Sequence, residues 1–460
     1  MCFIDNKLKK QILQELVPSK NEILVLEQLI SIFLQKIKCS INKFSYSIKV
    51  ELGGSYAKNT YLREDFDIDF FFQFQDVVDD KVKERQLLNI LNDSNIFYNI
   101  ERGSRMYVSG IFKIEDLGEF NFECVPTQRF ENPILALNST DVSIHHVRYL
   151  QKQIKEDRNL SNEIRLAKAW FKSQNLYGAE SYINGFSGHS IECLLMRFRN
   201  FEKLIEFFSN MQKGTILQIE NTSPIFPNST KNSNYFSKDK YSPLMIQDPI
   251  LKERNALSAL EDEIFYNSKL KAIFMLKTGC TSNDFLSFKK NNLNTSPDNL
   301  EKIKQDFFNS KLPSINVEFV IKSNTIMTTD IIGSKTLKLV KKIVKLVKKK
   351  GFETLDFDFL YCKEFDIIFA KILCKNFQIS KFYYEKGISL DISLNHINNY
   401  LDYHNNEELK LIGNTLYLIK NRDYISLKEL TNIYFKKNEE FLDLIYLDEF
   451  NFIQKVNTWC

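Results

Sequence analysis

The 460-residue chain contains little glycine and proline, 14 and 9 residues respectively, and only five histidines. Its eight cysteines are scattered, and no Cys-x-x-Cys pair occurs among them. This argues against a disulfide scaffold and a structural zinc site, and it predicts a reducing compartment. The N-terminus shows no signal pattern, and no apolar run is long enough to span a bilayer. We therefore expect a cytoplasmic protein without a membrane partner.

Net charge is also small, at +4, so an anionic partner must be attracted by a local basic surface rather than by bulk charge. The length predicts roughly two to four domains with ample core. The pattern along the chain is typical of an α/β (α+β) multidomain protein. We predict a head with a mixed β-sheet over 1–140, a helical central domain over 141–264 and an α/β C-terminal region over 265–460.

Periodicity places the main elements of the head. Apolar residues recur at helical spacing over 19–37, after a Ser19–Glu22 capping box. A short helix is predicted to run from the Gly-Gly-Ser turn through Tyr61. Alternation of apolar and polar residues predicts three strands, over 46–52, 67–74 and 119–126.

Beyond the head, helical spacing predicts a helix over 162–175, and residues 315–322 are typical of a strand. Residues 221–243 are rich in Ser, Asn, Pro and Lys, which predicts a loop or insertion. Residues 335–350 predict an amphipathic helix with an apolar stripe along one side. Its other side carries six lysines: Lys338, Lys341, Lys342, Lys345, Lys348 and Lys349. Lysines at this density neutralise nucleic-acid phosphates, so we expect an RNA-binding surface here; the alternative is a solvated lysine-rich helix.

The stretch ELGGSYAKNTYLREDFDIDFFFQF, residues 51–74, places acidic residues inside an apolar strand. Asp67 and Asp69 are two residues apart and therefore point to the same face. Adjacent carboxylates repel unless a cation neutralises them, and Mg²⁺ prefers such oxygen ligands. Glu123 on a neighbouring strand is the best third ligand by alternation. The set predicts a two-metal site for attack of a 3′-hydroxyl on an α-phosphate.

The turn Gly53-Gly54-Ser55 precedes this strand, with the predicted short helix between them. Because Gly54 has no Cβ, phosphate oxygens can approach the backbone there. Ser55 adds a hydroxyl donor, and Lys58 lies where a point charge meets the β- and γ-phosphates. The alternative interpretation, a surface turn followed by an acidic edge strand, is disfavoured by the phenylalanines around the acids.

"GGSYAKNT" followed by "DFDIDFF" resembles the signature of the nucleotidyltransferase superfamily. More narrowly, the chain resembles the archaeal-type (class I) CCA-adding enzymes, which are tRNA nucleotidyltransferases. The segments that carry this narrower resemblance are FECVPTQRF (122–130), SIHHVRYLQKQI (143–154), NEIRLAKAWFKSQNLYGAESYINGFSGHSIECLL (162–195) and QDPILKERN (247–255). The resemblance becomes faint in the C-terminal region.

This resemblance implies addition of C, C and A to the 3′ end of tRNA from CTP and ATP, without a template and with release of pyrophosphate. It implies that Asp67, Asp69 and Glu123 hold Mg²⁺. The residues implied to contact the nucleotide are Gly54, Ser55, Lys58, His146, Lys168, Tyr177 and Arg254. The implied partner is the acceptor–TΨC arm of tRNA, and a homodimer is left open.

Several of these residues also have a structural interpretation. Lys168 sits among apolar helix residues and can extend from the edge of a core, and Tyr177 can be a packing aromatic. His146 can be a structural histidine, and the neighbouring His145 leaves the register ambiguous by one residue. Arg254 can pair with Glu253 or Asp248 at a surface.

The chain departs from the family pattern at three positions: Glu123 replaces the usual Asp, Asn59 replaces a Gly, and Leu251 stands where an acid is common. Two other functions stay open at this point. One is a poly(A) polymerase or oligoadenylate synthetase with the same head, and the other is a non-catalytic tRNA-binding relative, for which Glu123 is the argument.

Overall fold

The computed structural model describes two compact units, Met1–Leu293 and Asn294–Cys460. The predicted mixed α/β class is confirmed. The three-part division into head, central and C-terminal domains stays a prediction. The residues described are 3–102, 106–136, 140–220, 241–291, 305, 315–323, 329–362, 365, 367–376, 378–427, 429–430 and 450–454.

The first unit begins with two helices and a five-stranded sheet. Its helices up to residue 93 are α1 (Asn6–Leu16), α2 (Lys20–Phe44), α3 (Gly54–Ala57) and α4 (Asp80–Asp93). Its strands are β1 (Ile48–Leu52), β2 (Ile68–Phe74), β3 (Asn99–Arg102), β4 (Met106–Ile114) and β5 (Gly118–Gln128). The capping box predicted at the start of α2 is confirmed, with Ser19 and Glu22 bonded reciprocally.

The sheet has the strand order β1-β2-β5-β4-β3. The central pair β2 and β5 is parallel, and every other neighbouring pair is antiparallel. One face of the sheet packs against α2, where the Phe33 ring stacks on Phe70 with 4.4 Å between centroids. Ile68 and Phe122 are also buried in this core. Because side chains alternate along a strand, the acidic residues of β2 and β5 lie on the opposite face.

The rest of the first unit is mainly helical. It comprises a 3₁₀ turn (Pro133–Leu135), α5 (Ser143–Glu156), α6 (Leu160–Ser173), α7 (Gly188–Phe198), α8 (Phe201–Asn210), the parallel pair β6 (Thr215–Leu217) and β7 (Leu244–Ile246), α9 (Asp262–Thr278) and α10 (Asn283–Asn291). Helix α6 is its centre, with Trp170 and Phe171 fully buried among aromatic rings. Most of the predicted loop, residues 221–240, lies outside the described part of the chain.

The second unit contains two antiparallel sheets. The elements are β8 (Ile315–Ser323), α11 (Thr329–Lys349), β9 (Thr354–Cys362), β10 (Ile367–Cys374), β11 (Phe382–Ser389), α12 (Leu394–Tyr403), β12 (Leu409–Ile412), β13 (Thr415–Asn421) and β14 (Phe450–Gln454). The first sheet has the order β14-β8-β10-β9, and α11 packs on it; the second sheet has the order β11-β13-β12.

Helix α11 contains the predicted basic helix and starts earlier than predicted, at Thr329. Most of its predicted apolar stripe is buried: Leu337, Val340, Ile343 and Val347. All six predicted lysines are exposed, so the amphipathic pattern is confirmed. In the described part of the chain, no helix combines the length and the apolar character that crossing a membrane requires.

Candidate active site

Two of the three predicted acids lie side by side on the central strands. Asp69 of β2 is in register with Glu123 of the parallel strand β5. Asp67 lies just before β2 and is exposed. The neighbours Ile68, Phe70 and Phe122 point into the core, which fixes the direction of the acids.

Electrostatics make this face unfavourable for carboxylates alone. Burial raises the pKa of Asp69 to about 6 against the opposing charge of Lys58. Burial, followed by the charges of Asp69 and Asp67, raises the pKa of Glu123 to about 8. Partial loss of hydration and then Asp65 also raise the pKa of Asp67, with Lys172 opposing. A divalent cation would relieve this repulsion, and the donors are the oxygens that hard cations prefer.

The three acids are not drawn together as tightly as ligands of a single ion. In the part of the chain that the structure describes, a different group has all its candidate ligand atoms within 4.8 Å of one another. It consists of His146, His189 and Asp248. A wider spacing of the acids is compatible with two ions shared among them, since such ions stand about 3.5–4 Å apart.

The glycine turn packs directly against the acidic strand. The backbone N–H of Gly53 donates to the carbonyl of Asp69 at 2.8 Å. Gly54 has φ +55°, and a Cβ placed on it would lie 1.5 Å from Asp69 Oδ2. The space that the sequence assigned to a phosphate oxygen is therefore shared with the Asp69 carboxylate, and no larger residue fits at position 54.

Helix α3 is shorter than predicted: it ends at Ala57 rather than running through Tyr61. The reason is Asn59, which has φ +54° and turns the chain out of the helix. Asparagine tolerates this left-handed conformation better than most residues, so it can replace the glycine usual in the family. Its Oδ1 also accepts a 2.7 Å hydrogen bond from Arg165 Nη2. Ser55 is half-buried in α3, and Lys58 caps its C-terminus.

Lys58 and Lys168 meet at one buried carboxylate, that of Glu192 on α7. Lys58 Nζ lies 2.7 Å from Glu192 Oε2, and Lys168 Nζ lies 2.9 Å from Glu192 Oε1. Lys168 does not extend to the surface, because it is 4% exposed. Burial lowers the pKa of Lys168, and the charge of Glu192 opposes this. The structure thus brings the two predicted phosphate lysines together, 110 positions apart in the chain.

Tyr177 is half-buried beside this pair. A Cβ on Gly188 would lie 2.9 Å from the Tyr177 hydroxyl and 3.9 Å from Cε of Lys168, so the backbone at Gly188 passes close to both side chains. Burial, and then the charge of Glu192, raises the pKa of Tyr177, so the phenol remains a hydrogen-bond donor. On its other side the ring is covered by Lys172 Nζ, 4.8 Å from the centroid.

His146 and Arg254 share a different carboxylate, that of Asp248. His146 Nε2 lies 2.9 Å from Asp248 Oδ1, and His189 Nε2 lies 3.1 Å from Oδ2. Arg254 Nη1 donates to the same Oδ2 at 3.1 Å. Burial raises the pKa of Asp248, but hydrogen bonds from His146 and His189 outweigh this and hold it well below its usual range.

Burial lowers the pKa of His146 to about 4 against the opposing effect of Asp248. His146 is therefore neutral near pH 7. Its Nε2 must carry the proton that faces the Asp248 carboxylate, which leaves a lone pair on Nδ1. Arg254 is also directed at this carboxylate. We call the cluster of His146, His189 and Arg254 around the Asp248 carboxylate the Asp248 hub.

Two family models match the chain over these elements. The nucleotidyltransferase domain matches residues 34–137, and the second domain of tRNA nucleotidyltransferase matches residues 162–282. The first match covers the acids, the glycine turn and Lys58. The second match covers Lys168, Glu192, His189, Asp248 and Arg254, and His146 lies between the two matches. These matches assign the two regions to nucleotidyltransferase domains, the second of them a domain of tRNA nucleotidyltransferases.

Curated relatives agree with this assignment. A CCA-adding enzyme of Nanoarchaeum equitans is 29% identical over 323 residues, covering 69% of this chain and 73% of that protein. A CCA-adding enzyme of Methanococcus maripaludis is 27% identical over 356 residues, covering 76% of this chain and 74% of that protein. Among solved structures, the Cid1 poly(U) polymerase with bound MgGTP matches 61% of this chain and 97% of that chain, at 12% identity and a TM-score of 0.46. The match to the nucleotidyltransferase domain implies nucleotide substrates and a divalent metal.

The two neighbouring histidines differ in their surroundings. His146 joins the Asp248 hub, whereas His145 Nε2 lies 3.0 Å from the carbonyl oxygen of Phe130. Leu251 takes part in the turn of the Asp-Pro segment through its backbone, whose N–H donates to Asp248 Oδ1 at 3.0 Å. A side chain at position 251 is not needed for that bond.

Sequence reasoning missed Glu192, Thr60 and His189. Glu192 lies between Ile191 and Cys193 of α7, where it looks like an ordinary helix residue until its partners are known. His189 and Asp248 are 59 positions apart. The available signal was the presence of a charged residue on the buried side of a helix, which requires a partner of opposite charge.

Proposed function

We propose that this protein is a tRNA nucleotidyltransferase that adds CCA to the 3′ end of tRNA from CTP and ATP and releases pyrophosphate. One observation carries the proposal. The acidic face of the central strands and the two buried lysines, Lys58 and Lys168, lie on the same side of the sheet, next to the Gly53-Gly54 turn. The names of the curated relatives support the same reaction.

Asp67, Asp69 and Glu123 are the proposed metal ligands, and Mg²⁺ is the proposed ion. Their raised pKa values fit a site whose carboxylates are completed by a cation. Bound Mg²⁺ would lower the pKa of the attacking 3′-hydroxyl and neutralise charge on the leaving pyrophosphate. Glu123 is one methylene longer than Asp, and its register opposite Asp69 keeps it on the same face.

The other proposed residues bind and orient the nucleotide. Lys58 and Lys168 hold the β- and γ-phosphates as point charges, helped by the hydroxyls of Ser55 and Tyr177. They sit on the same side of the sheet as the acids, since the charges of both lysines act on Asp69. This arrangement orients the α-phosphate for in-line attack.

The Asp248 hub is the proposed place for the sugar and base. His146 offers a neutral ring, and Arg254 offers a guanidinium whose direction is set by Asp248. A guanidinium fixed in this way can donate in-plane hydrogen bonds to a base edge and to RNA phosphate.

A nucleotide-incorporation assay tests the reaction. The purified chain is incubated with tRNA lacking its 3′ CCA, Mg²⁺, and CTP and ATP separately and together. We expect two C additions with CTP alone, and one further A when ATP is present, after which addition stops. Continuous incorporation of ATP alone would contradict CCA addition and would favour a poly(A) polymerase.

Helix α11 is the proposed surface for the acceptor–TΨC arm of tRNA. Replacing Lys341 and Lys345 by Gln should lower tRNA affinity about tenfold at low salt. The slope of log affinity against log salt concentration should also become less steep, by the amount that one to two phosphate contacts contribute. Filter binding over a range of salt concentrations measures both. The matched change at Lys36 and Lys38, which are exposed on α2, should have little effect. Equal losses in both variants would point to general charge attraction instead.

Stability should depend on pH through the acids. A carboxyl whose pKa is higher in the folded protein than in the unfolded chain destabilises the fold as it ionises, so unfolding becomes easier as the pH rises through that window. For Glu123 the window runs from the ordinary glutamate pKa of 4.5 to about 8. We expect the Glu123→Gln variant, in EDTA, to gain stability relative to the parent between pH 5 and pH 8, by at most about 1.4 kcal/mol per pKa unit.

Thermal unfolding with and without Mg²⁺ or Mn²⁺ completes this test. The ion should raise the melting temperature of the parent more at pH 8 than at pH 5, because protons compete with it for the acids. In Glu123→Gln the ion effect should be smaller. A pH-independent difference between the two proteins would contradict the assignment of Glu123.

The cytoplasm is the proposed compartment. Four cysteines, Cys39, Cys124, Cys193 and Cys374, are free thiols, which is typical of a reducing environment.

A further inference from the structure

One carboxylate inside the first unit is shared by the two lysines that the proposed function assigns to the triphosphate. Glu192 is 2% exposed, and each of its oxygens faces a different ammonium group, Lys58 Nζ at 2.7 Å and Lys168 Nζ at 2.9 Å. The lysines are themselves largely withdrawn from solvent, Lys58 with 11% and Lys168 with 5% of the side chain exposed. Glu192 is therefore an internal counter-ion for both.

Thr60 closes this arrangement into a network. Its hydroxyl donates to Glu192 Oε1 at 3.1 Å and accepts from Lys168 Nζ at 3.0 Å. The four side chains come from three places, the turn after α3, the middle of α6 and the first turns of α7. The position of both ammonium groups is thus fixed by contacts within the protein, before any ligand arrives.

Electrostatics give this network a second property. Burial raises the pKa of Glu192, but Lys168 and then Lys58 outweigh it and hold the carboxyl well below its usual range, so Glu192 remains charged. One negative charge then faces two positive charges. A phosphate group needs the same ammonium groups, and its oxygens must compete with a carboxylate that is already in contact with them.

We propose that Glu192 is a positioning residue that acts through Lys58 and Lys168. It holds both ammonium groups at the phosphate subsite, and it lowers their affinity for pyrophosphate so that the product leaves. This inference rests on the proposed function to the extent that these lysines contact phosphate. Glu192 itself contacts neither the reacting atoms nor the metal.

Calorimetric titration of the full chain with magnesium pyrophosphate tests the inference without relying on catalysis. Glu192→Gln keeps the size of the side chain and removes the competing charge. We expect this variant to bind pyrophosphate about tenfold more tightly than the parent. In the incorporation assay, pyrophosphate should inhibit it at correspondingly lower concentrations, and kcat should fall while KM for CTP does not rise.

Two further variants separate positioning from mere structural support. Glu192→Asp keeps the charge and should restore pyrophosphate affinity to within about twofold of the parent. Glu163→Gln is the matched control, because Glu163 is also buried, with 1% of its side chain exposed, and pairs with a different lysine, Lys9, whose Nζ lies at 2.8 Å. It should lower the melting temperature without changing pyrophosphate affinity. If Glu192→Gln does not fold, Glu192→Ala takes its place with the same expected tightening.

Unchanged or weaker pyrophosphate binding by the Glu192 variant would overturn the inference. A parent protein that binds no magnesium pyrophosphate would overturn both the inference and the phosphate subsite. A third outcome is that the parent binds pyrophosphate and Glu192→Gln binds it more tightly, but the parent incorporates neither CTP nor ATP. That result would overturn only the proposed function.

Discussion

Replacing Asp69 by Asn should reduce nucleotide incorporation on the order of a thousandfold or more while the protein stays folded. Asn has the shape of Asp, so it fits beside Gly54, but it cannot supply the charge that a divalent ion requires. The parent carboxyl is disfavoured by burial, so removing its charge should leave stability equal or slightly higher. Single-turnover incorporation of CTP measures the rate, and thermal unfolding checks the fold.

Asp65 provides the control for this substitution. It lies two residues before Asp67 and its Oδ2 pairs with Lys172 at 2.6 Å, but it is not a proposed metal ligand. Asp65→Asn should change the rate only severalfold. Affinity for tRNA, measured by filter binding, should be the same in both variants. More than a tenth of parent activity in Asp69→Asn would refute its role as a metal ligand.

Replacing Gly54 by Ala should damage both activity and stability. The new Cβ would lie 1.5 Å from Asp69 Oδ2 and 2.4 Å from Asp69 Cγ, so the carboxylate or the turn must move. The residue also keeps φ +55°, which costs an L-residue about 1–2 kcal/mol. We expect incorporation to fall by about a hundredfold, since a 1 Å displacement in an active site has that order of effect.

Gly413 separates the two causes. It has a similar φ of +61°, but nothing lies within 4 Å of the Cβ that alanine would add. Gly413→Ala should therefore show the backbone strain alone, with a small loss of melting temperature and a parent-like rate. If Gly54→Ala matched it in both measurements, the close approach of Gly54 to Asp69 would be unimportant for catalysis.

Much of the fold follows from local patterns. The strand predicted over 67–74 is observed as Ile68–Phe74, and the one over 119–126 as Gly118–Gln128. These strands have strong alternation and many apolar side chains, so periodicity alone locates them. The end of α3 was less predictable, because a single residue, Asn59, leaves the helix by adopting a left-handed conformation. Its side chain accepts a hydrogen bond from Arg165 on α6, a contact that no local pattern predicts.

Part of the candidate site also follows from the sequence. The common face of Asp69 and Glu123 comes from strand alternation, and the exposure of the α11 lysines comes from helical spacing. The surroundings of Lys168 did not follow. Its apolar neighbours are compatible with a side chain reaching outward, and only the folded chain shows that it points to a buried carboxylate.

By itself, the sequence determined which faces of strands and helices carry charge, because side-chain direction is set by the local backbone repeat. The tertiary structure decided which charges meet. Lys58 and Glu192 are 134 positions apart, and His146 and Asp248 are 102 apart, so no local repeat relates them. Burial forces each of these charged groups to find a partner, but the packing of α6, α7 and the sheet selects which one.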